Sequence, residues 1–111
     1  MLGEPHFQEV SEIPLFNLIG EYVESKGYDV VYFKSVVPKN SKEYKYMNYI
    51  HLYKDEELNI SIYFNTFDLE VFKVNSYYEL YISDTGEAER FWATIEDEKR
   101  LFDTVKKLIK Q

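Results

Sequence analysis

Apolar residues near the start of the chain recur at helical spacing and form a single stripe. Pro14 is tolerated in a first helical turn, and Gly27 follows where a helix-terminating glycine belongs. The pattern predicts a helix over about residues 12–26, with Ser11 or Glu12 just before its first turn. The stripe consists of Leu15, Phe16, Leu18, Ile19, Tyr22 and Val23.

A second stripe at the same spacing predicts a helix near the end of the chain. Thr94 followed by Asp97 approximates a capping box, and Asp97 is an alternative N-cap. Acidic residues occupy the start of this helix and lysines its end, so both charge sets complement the helix dipole. The stripe consists of Leu101, Phe102, Val105, Leu108 and Ile109.

Between the helices the apolar pattern changes to a period of two, which is typical of strands. Two of the alternating segments are separated only by residues 55–57, which predicts a hairpin. Two others are predicted to meet at a short turn formed by Asn75 and Ser76. The predicted strands read YDVVYFKSVV, YMNYIHLYK, LNISIYF, LEVFKV and YYELYIS.

The segment RFWATI, residues 90–95, fits either a sixth strand or the first turn of the last helix. Its alternation favours the strand, because Phe91, Ala93 and Ile95 then share one face. The preceding DTGEAE, which contains Gly86, is predicted to be a turn or short loop.

These elements predict one α+β domain over residues 1–111, in which residues 1–10 are loosely ordered. Five or six strands joined by short turns favour a single antiparallel sheet in meander order. Two helices with one apolar stripe each can cover only one face of that sheet. The opposite face, called the open face below, is then exposed to water or covered by a partner.

Alternation along the strands sorts their residues between the two faces. LEVFKV is ambiguous, and Tyr32 and Lys34 are predicted to join the open face. The predicted core set is Ile50, Leu52, Leu58, Ile60, Ile62, Phe64, Tyr78, Leu80, Ile82, Phe91, Ala93 and Ile95. The open face is predicted to carry Tyr49, His51, Tyr53, Asn59, Ser61, Tyr63, Tyr77, Glu79, Tyr81, Arg90 and Trp92.

The aromatic residues of the open face have two interpretations. Tyrosine has a high strand propensity and pairs well across a solvated sheet, and 11 tyrosines in one chain also indicate a bias in composition. Tyrosine and tryptophan are also enriched in protein interfaces, which predicts a contact face for a partner or for a second copy. The candidate partner-binding residues are Tyr49, His51, Tyr53, Tyr63, Tyr77, Tyr81 and Trp92.

The chain has 13 basic and 20 acidic side chains, a net charge of −7. This balance argues against nucleic acid and against anionic membranes, which both need a basic surface. The charge serves solubility, or it forms an acidic flank that steers a basic partner. The candidate flank consists of Glu21, Glu24, Glu87, Glu89, Glu96, Asp97 and Glu98.

No recognisable catalytic or metal-binding motif emerges from the sequence. The chain has no cysteine, and no phosphate-binding loop or nucleophile-elbow pattern is present. His51 lacks a convincing partner for general-base catalysis, since only Glu79 or Ser61 could approach it across the sheet. The acidic triplets at 55–57 and 96–98 do not converge on one face, and the letters Asp84-Thr85-Gly86 alone are a weak signal. We expect no catalytic residue, metal or cofactor.

The features together predict a small acidic binding protein without enzymatic activity that masks a protein partner. An immunity protein, or a phage-type inhibitor of a basic, nucleic-acid-handling enzyme, fits this description. The alternative is a homo-oligomeric structural or accessory protein that pairs its open face with itself, for example as a homodimer. An enzyme with a pocket near His51 is a third possibility. Neither a secretory signal nor a membrane span is recognisable in the sequence, so a cytoplasmic location is expected.

Overall fold

A computed structural model of the chain describes residues 6–36, 44–67 and 75–109. The strands form one six-stranded antiparallel sheet in the order β1-β2-β3-β4-β5-β6, and a helix stands near each end of the chain order. The predicted α+β meander is therefore confirmed. The elements are β1 His6–Gln8, α1 Pro14–Ser25, β2 Asp29–Val36, β3 Tyr44–Lys54, β4 Glu57–Phe67, β5 Asn75–Ile82, β6 Ala88–Trp92 and α2 Ile95–Leu108.

Helix α1 begins at Pro14, after an Ile13 N-cap rather than after Ser11 or Glu12, and it ends where Gly27 predicts. Pro14 occupies the first turn, where its missing N–H costs no hydrogen bond. At the other end the Gly27 N–H donates to the Glu24 carbonyl, and the Tyr28 N–H donates to the Val23 carbonyl. This is a Schellman motif, and it requires the left-handed backbone that Gly27 adopts at φ 89°.

Helix α2 is capped by Thr94, whose hydroxyl oxygen accepts a hydrogen bond of 3.1 Å from the Asp97 N–H. The Asp97 carboxylate is used differently, since it lies 3.3 Å from the Arg100 guanidinium on the next turn. The predicted Thr94 cap is therefore confirmed, whereas Asp97 does not act as the alternative N-cap.

Both helices pack on one face of the sheet and bury a continuous core. Helix α1 contacts β2, β3 and α2, and helix α2 contacts β6. The Tyr22 and Phe102 rings meet edge to face, 5.8 Å apart, where the helices touch. The fully buried core residues are Phe16, Ile19, Val23, Ile50, Leu52, Ile62, Leu80, Phe91, Leu101 and Val105.

Several boundaries differ from the sequence prediction. His6–Gln8, expected to be loosely ordered, pairs with β2 as strand β1. Asn75, expected in a turn, is the first residue of β5 and pairs with Phe67. The predicted strand LEVFKV lies outside the described residues, so that prediction has no structural counterpart here.

The end of β6 is the clearest correction. The strand stops at Trp92, because Thr94 already caps helix α2. Ala93 is exposed, and Ile95 is 86% exposed in the first turn of α2. Neither residue belongs to the core, although alternation with Phe91 predicted that both would.

A register shift between β3 and β4 moves another predicted core residue. Leu52 pairs with Ile60, but the next residue, Tyr53, pairs with Leu58, which leaves Asn59 as the extra residue of a bulge. Leu58 is half-buried and does not join the core cluster.

Within the described residues, neither helix is both long and apolar enough to cross a membrane.

Candidate functional site

The open face of the sheet is not covered by either helix. Directly paired residues of an antiparallel sheet project to the same side, so the strand register identifies which side chains share this face. One row crosses all six strands through Phe7, Phe33, Tyr49, Tyr63, Glu79 and Arg90. A second row contains Val31, His51, Ser61, Tyr81 and Ala88, and a third contains Ser35, Met47, Asn65, Tyr77 and Trp92.

Four rings form a continuous aromatic row across strands β1 to β4. Phe7 and Phe33 have ring centroids 4.9 Å apart. Phe33 and Tyr49 are stacked 4.7 Å apart with an interplanar angle of 7°, and Tyr49 stacks on Tyr63 at 5.3 Å. Each such pair contributes about 1 kcal/mol beyond its buried area. The aromatic row is therefore a preorganised apolar ridge rather than a set of independent rings.

The rings of the aromatic row remain accessible to different degrees. Phe7, at the sheet edge, is 76% exposed, whereas Phe33, Tyr49 and Tyr63 are half-buried by one another. Burial raises the pKa of the Tyr49 hydroxyl, and the nearby Ser35 side chain lowers it by less. The phenol therefore stays neutral and able to donate at physiological pH.

His51 lies beside the aromatic row and completes the cluster. Its ring centroid is 5.0 Å from that of Phe33, 5.3 Å from that of Tyr49 and 6.5 Å from that of Tyr63. Its Nδ1 lies 3.4 Å from the Tyr53 hydroxyl, and its Nε2 is buried without a hydrogen-bond partner in the described structure. Burial lowers the pKa of His51, which favours a neutral imidazole at pH 7.

The other half of the open face mixes rings with one ion pair. Glu79 and Arg90 lie 3.8 Å apart, and the Arg90 guanidinium stands 4.8 Å from the centre of the Tyr77 ring. Tyr77 is buried against Trp92, with centroids 5.5 Å apart. Trp92 is 50% exposed and Tyr81 is 40% exposed. This half adds exposed aromatic area while its two charges offset each other.

The members of the predicted acidic flank do not form one cluster and have different contacts. Glu21 and Glu24 lie on α1 close enough to Tyr32 to help burial raise its pKa. On the other side, Arg100 is shared by Glu89, at 3.4 Å, and Asp97. The remaining members are Glu98, whose carboxylate accepts a 2.8 Å hydrogen bond from the Tyr78 hydroxyl, and the exposed Glu87 and Glu96.

The structure brings the seven predicted contact residues onto one face and adds two that the sequence analysis missed. Phe33 was missed because its neighbour Tyr32, on the opposite parity, was predicted to lie on the open face. The register places Tyr32 opposite the buried Ile50 instead, and it leaves Lys34 on that same helix side. Phe7 was missed because β1 is only three residues long and carries no alternating pattern.

The contacts of His51 do not favour the catalytic role considered above. Its direct strand partner Ser61 is buried, and Glu79 is engaged with Arg90. In the described part of the chain, no group of three or more histidine, cysteine, aspartate or glutamate side chains is placed to hold a metal ion.

A groove of about 440 Å³ lies between the two helices, on the opposite side of the molecule from the aromatic row. Its apolar wall includes Leu18, which is 52% exposed, and Ile95. Its charged rim contains two acidic and two basic residues, so it favours no sign of ligand charge. These are Glu98, Asp103, Lys99 and Lys106.

Comparison of the chain with models of protein families, with curated proteins and with solved structures finds no match.

Proposed function

We propose that the chain is a small, acidic, non-enzymatic binding protein whose open face masks a surface of a protein partner. The aromatic row is the observation that carries this proposal. Rings preordered by stacking lose little conformational entropy on binding, and they supply apolar area with hydrogen-bonding tips. An immunity protein or a phage-type inhibitor of a basic, nucleic-acid-handling enzyme would act in this way.

Self-association through the same face is the alternative. It requires two copies of net charge −7 to approach each other, which is unfavourable at low ionic strength. Sedimentation over a range of concentrations separates the two functions, since a binding protein with a different partner remains monomeric when alone.

The proposal is tested by affinity capture from the native cell, followed by measurement of the dissociation constant for the captured protein. The test variant changes the most exposed rings of the open face: Phe7→Ser, Tyr81→Ser and Trp92→Ser. These positions remove little stacking from the half-buried centre, so the fold is expected to survive. We expect affinity to fall by about a hundredfold or more, as for loss of several interface anchors.

The matched control changes the exposed apolar residues of the helix side, Leu18→Ser and Ile95→Ser. We expect this variant to bind with unchanged affinity. The proposal fails if the open-face variant retains its affinity, or if the two variants lose affinity equally. Circular dichroism of both variants checks that each is folded.

A further inference from the structure

We infer that the open face receives a basic protein surface in one orientation, with the partner's lysine and arginine side chains over a single end of the sheet. This inference rests on the proposed function and specifies the chemistry of the partner. It depends on charges that the meander gathers from three separate segments of the chain.

Strand pairing brings three acidic segments to the same end of the sheet. Asp29 begins β2 opposite Tyr53 near the end of β3. The β3–β4 turn follows directly, and the β5–β6 turn reaches the same level because the Ser83 N–H donates to the Asn59 carbonyl at 3.0 Å. The resulting acidic sheet end consists of six exposed carboxylates: Asp29, Asp55, Glu56, Glu57, Asp84 and Glu87.

Within the described part of the chain, no ion pair offsets the charge of the acidic sheet end. None of the ion pairs found there involves one of the six carboxylates. Two lysines lie near this end, and Lys54 is the direct strand partner of Glu57, but both lysines are directed over rings of the helix side. Lys54 stands 5.1 Å from the centre of the Tyr28 ring, and Lys26 stands 5.6 Å from that of Tyr22.

Part of the acidic charge on the helix side is held in contacts within the chain. Glu89 and Asp97 share Arg100, and Glu98 accepts from the Tyr78 hydroxyl. The acidic flank expected from the sequence is therefore partly compensated internally. The surplus negative charge beside the open face is concentrated at the acidic sheet end.

The arrangement of the acidic sheet end favours a polybasic surface over a single metal ion. Its carboxylates are spread over two turns and a strand start, and none of the described acidic groups is arranged to hold a metal ion. Several separate cations on one partner match such a spread. Electrostatic complementarity of this kind raises the association rate and fixes the orientation of docking.

The acidic sheet end is continuous with the aromatic part of the open face. Asp29 is the direct strand partner of Tyr53, whose hydroxyl meets His51. A partner with apolar or arginine side chains beside its lysines can therefore contact the rings and the carboxylates together, because arginine also packs on aromatic faces.

The inference is tested with a defined probe, a short glycine-spaced peptide of lysine and tryptophan, and its counterpart with glutamate in place of lysine. Amide chemical shifts of the full chain map where each peptide binds. We expect the lysine peptide to shift amides of the β3–β4 turn and the aromatic row, more strongly at low salt than at physiological salt. The glutamate peptide is expected to bind at least about tenfold more weakly.

Two charge variants with the same number of changes complete the test. Asp55→Asn, Glu56→Gln and Glu57→Gln should weaken the lysine peptide by about tenfold, whereas Glu21→Gln, Glu24→Gln and Glu96→Gln should leave its affinity within about twofold. Equal losses in both variants, binding on the helix side, no binding, or equal binding of both peptides would overturn the inference. The proposed function fails by a separate result, in which the open-face variant (Phe7→Ser, Tyr81→Ser and Trp92→Ser) keeps its affinity for the captured protein.

Discussion

Gly20 allows helix α1 to approach the sheet closely. A Cβ at this position would overlap the Tyr32 hydroxyl oxygen and lie 2.9 Å from the Tyr32 ring carbon Cζ. Tyr32 is buried, so its ring cannot simply turn into water. The small side chain is thus required by packing, against the general preference for alanine inside helices.

We predict that Gly20→Ala lowers the free energy of unfolding by about 2 kcal/mol, the usual cost of overfilling a packed core. Denaturant unfolding measures it. Tyr32→Phe removes the overlapping oxygen, so the double variant should recover at least about half of the loss. Simple additivity of the two single changes would show that the contact does not limit the helix position.

His51 makes the stability of the fold depend on pH, and the surroundings of its ring determine the direction of that dependence. Burial lowers the pKa of His51 in the folded protein, and its ring contacts within the described residues are with the neutral rings of Phe33, Tyr49, Tyr53 and Tyr63. The unfolded chain therefore binds the proton more readily. Stability contributed by the neutral imidazole is present above the ordinary histidine pKa and is lost as the pH falls through and below it.

We predict that the free energy of unfolding depends less on pH in the His51→Gln variant than in the natural chain. Unfolding free energies of the natural chain and the variant, measured between neutral and mildly acidic pH, should converge as the pH falls. A constant difference between the two across this range would show that His51 titrates as it does in the unfolded chain.

At the scale of single residues, the sequence predicts the sheet face of Tyr49 and Tyr53 in β3 correctly, but it predicts the wrong face for Tyr32 in β2. Tyr49, His51 and Tyr53 alternate with strongly apolar neighbours, so one face is clearly marked. In β2 both parities are apolar or aromatic, and Tyr32 and Phe33 cannot be distinguished by hydropathy. The pairing of Tyr32 with Ile50 decides the matter, and that contact is not a local property.

Among the elements, the β3–β4 hairpin combines a favourable pairing with an unfavourable turn. Asp55 and Glu56 both adopt left-handed backbone, with φ of 52° and 66°. A two-residue turn of this kind prefers asparagine followed by glycine. The turn thus keeps two carboxylates at a cost in conformational energy.

We predict that Asp55→Asn with Glu56→Gly raises the free energy of unfolding by about 1 kcal/mol, since it relieves the left-handed strain. Thermal or denaturant unfolding measures the gain. The same variant should bind the lysine peptide more weakly, because it removes two charges of the acidic sheet end. A variant that is less stable than the natural chain would contradict this account of the turn.

Element boundaries were predictable only where a local signal marks them. Gly27 and Thr94 mark a helix end and a helix start, and both predictions are confirmed. The residues on either side of the Thr94 cap carry no such signal, so the alternating pattern assigned Ala93 and Ile95 to β6. The capping hydrogen bond of Thr94 overrides that alternation and turns Ile95 out to solvent.

In the whole molecule, two helices cover only one of the two sheet faces, so apolar surface remains uncovered on the other. The helices cover the core face, while the open face carries the aromatic row and the half-exposed Trp92. A contiguous exposed aromatic surface of this kind typically marks an interaction site. The sequence predicted this uncovered face because it has only two apolar helical stripes for two sheet faces.

The extent of the site could not be predicted from the sequence. Alternation identified the rings of β3, β4 and β5, but the continuation to Phe7 depends on β1 pairing with β2. The acidic sheet end depends on two turns and the start of β2 meeting in space, although its residues are scattered between Asp29 and Glu87. Both features arise from strand order, which local patterns do not encode.

The most direct test of the account uses Trp92, the single tryptophan of the chain, which is 50% exposed on the open face. Fluorotryptophan at this position gives one fluorine resonance, recorded for the free chain and for its complex with the captured protein. We predict that binding shifts this resonance and abolishes its solvent isotope effect. An unchanged resonance at saturating partner would contradict the assignment of the open face as the contact surface.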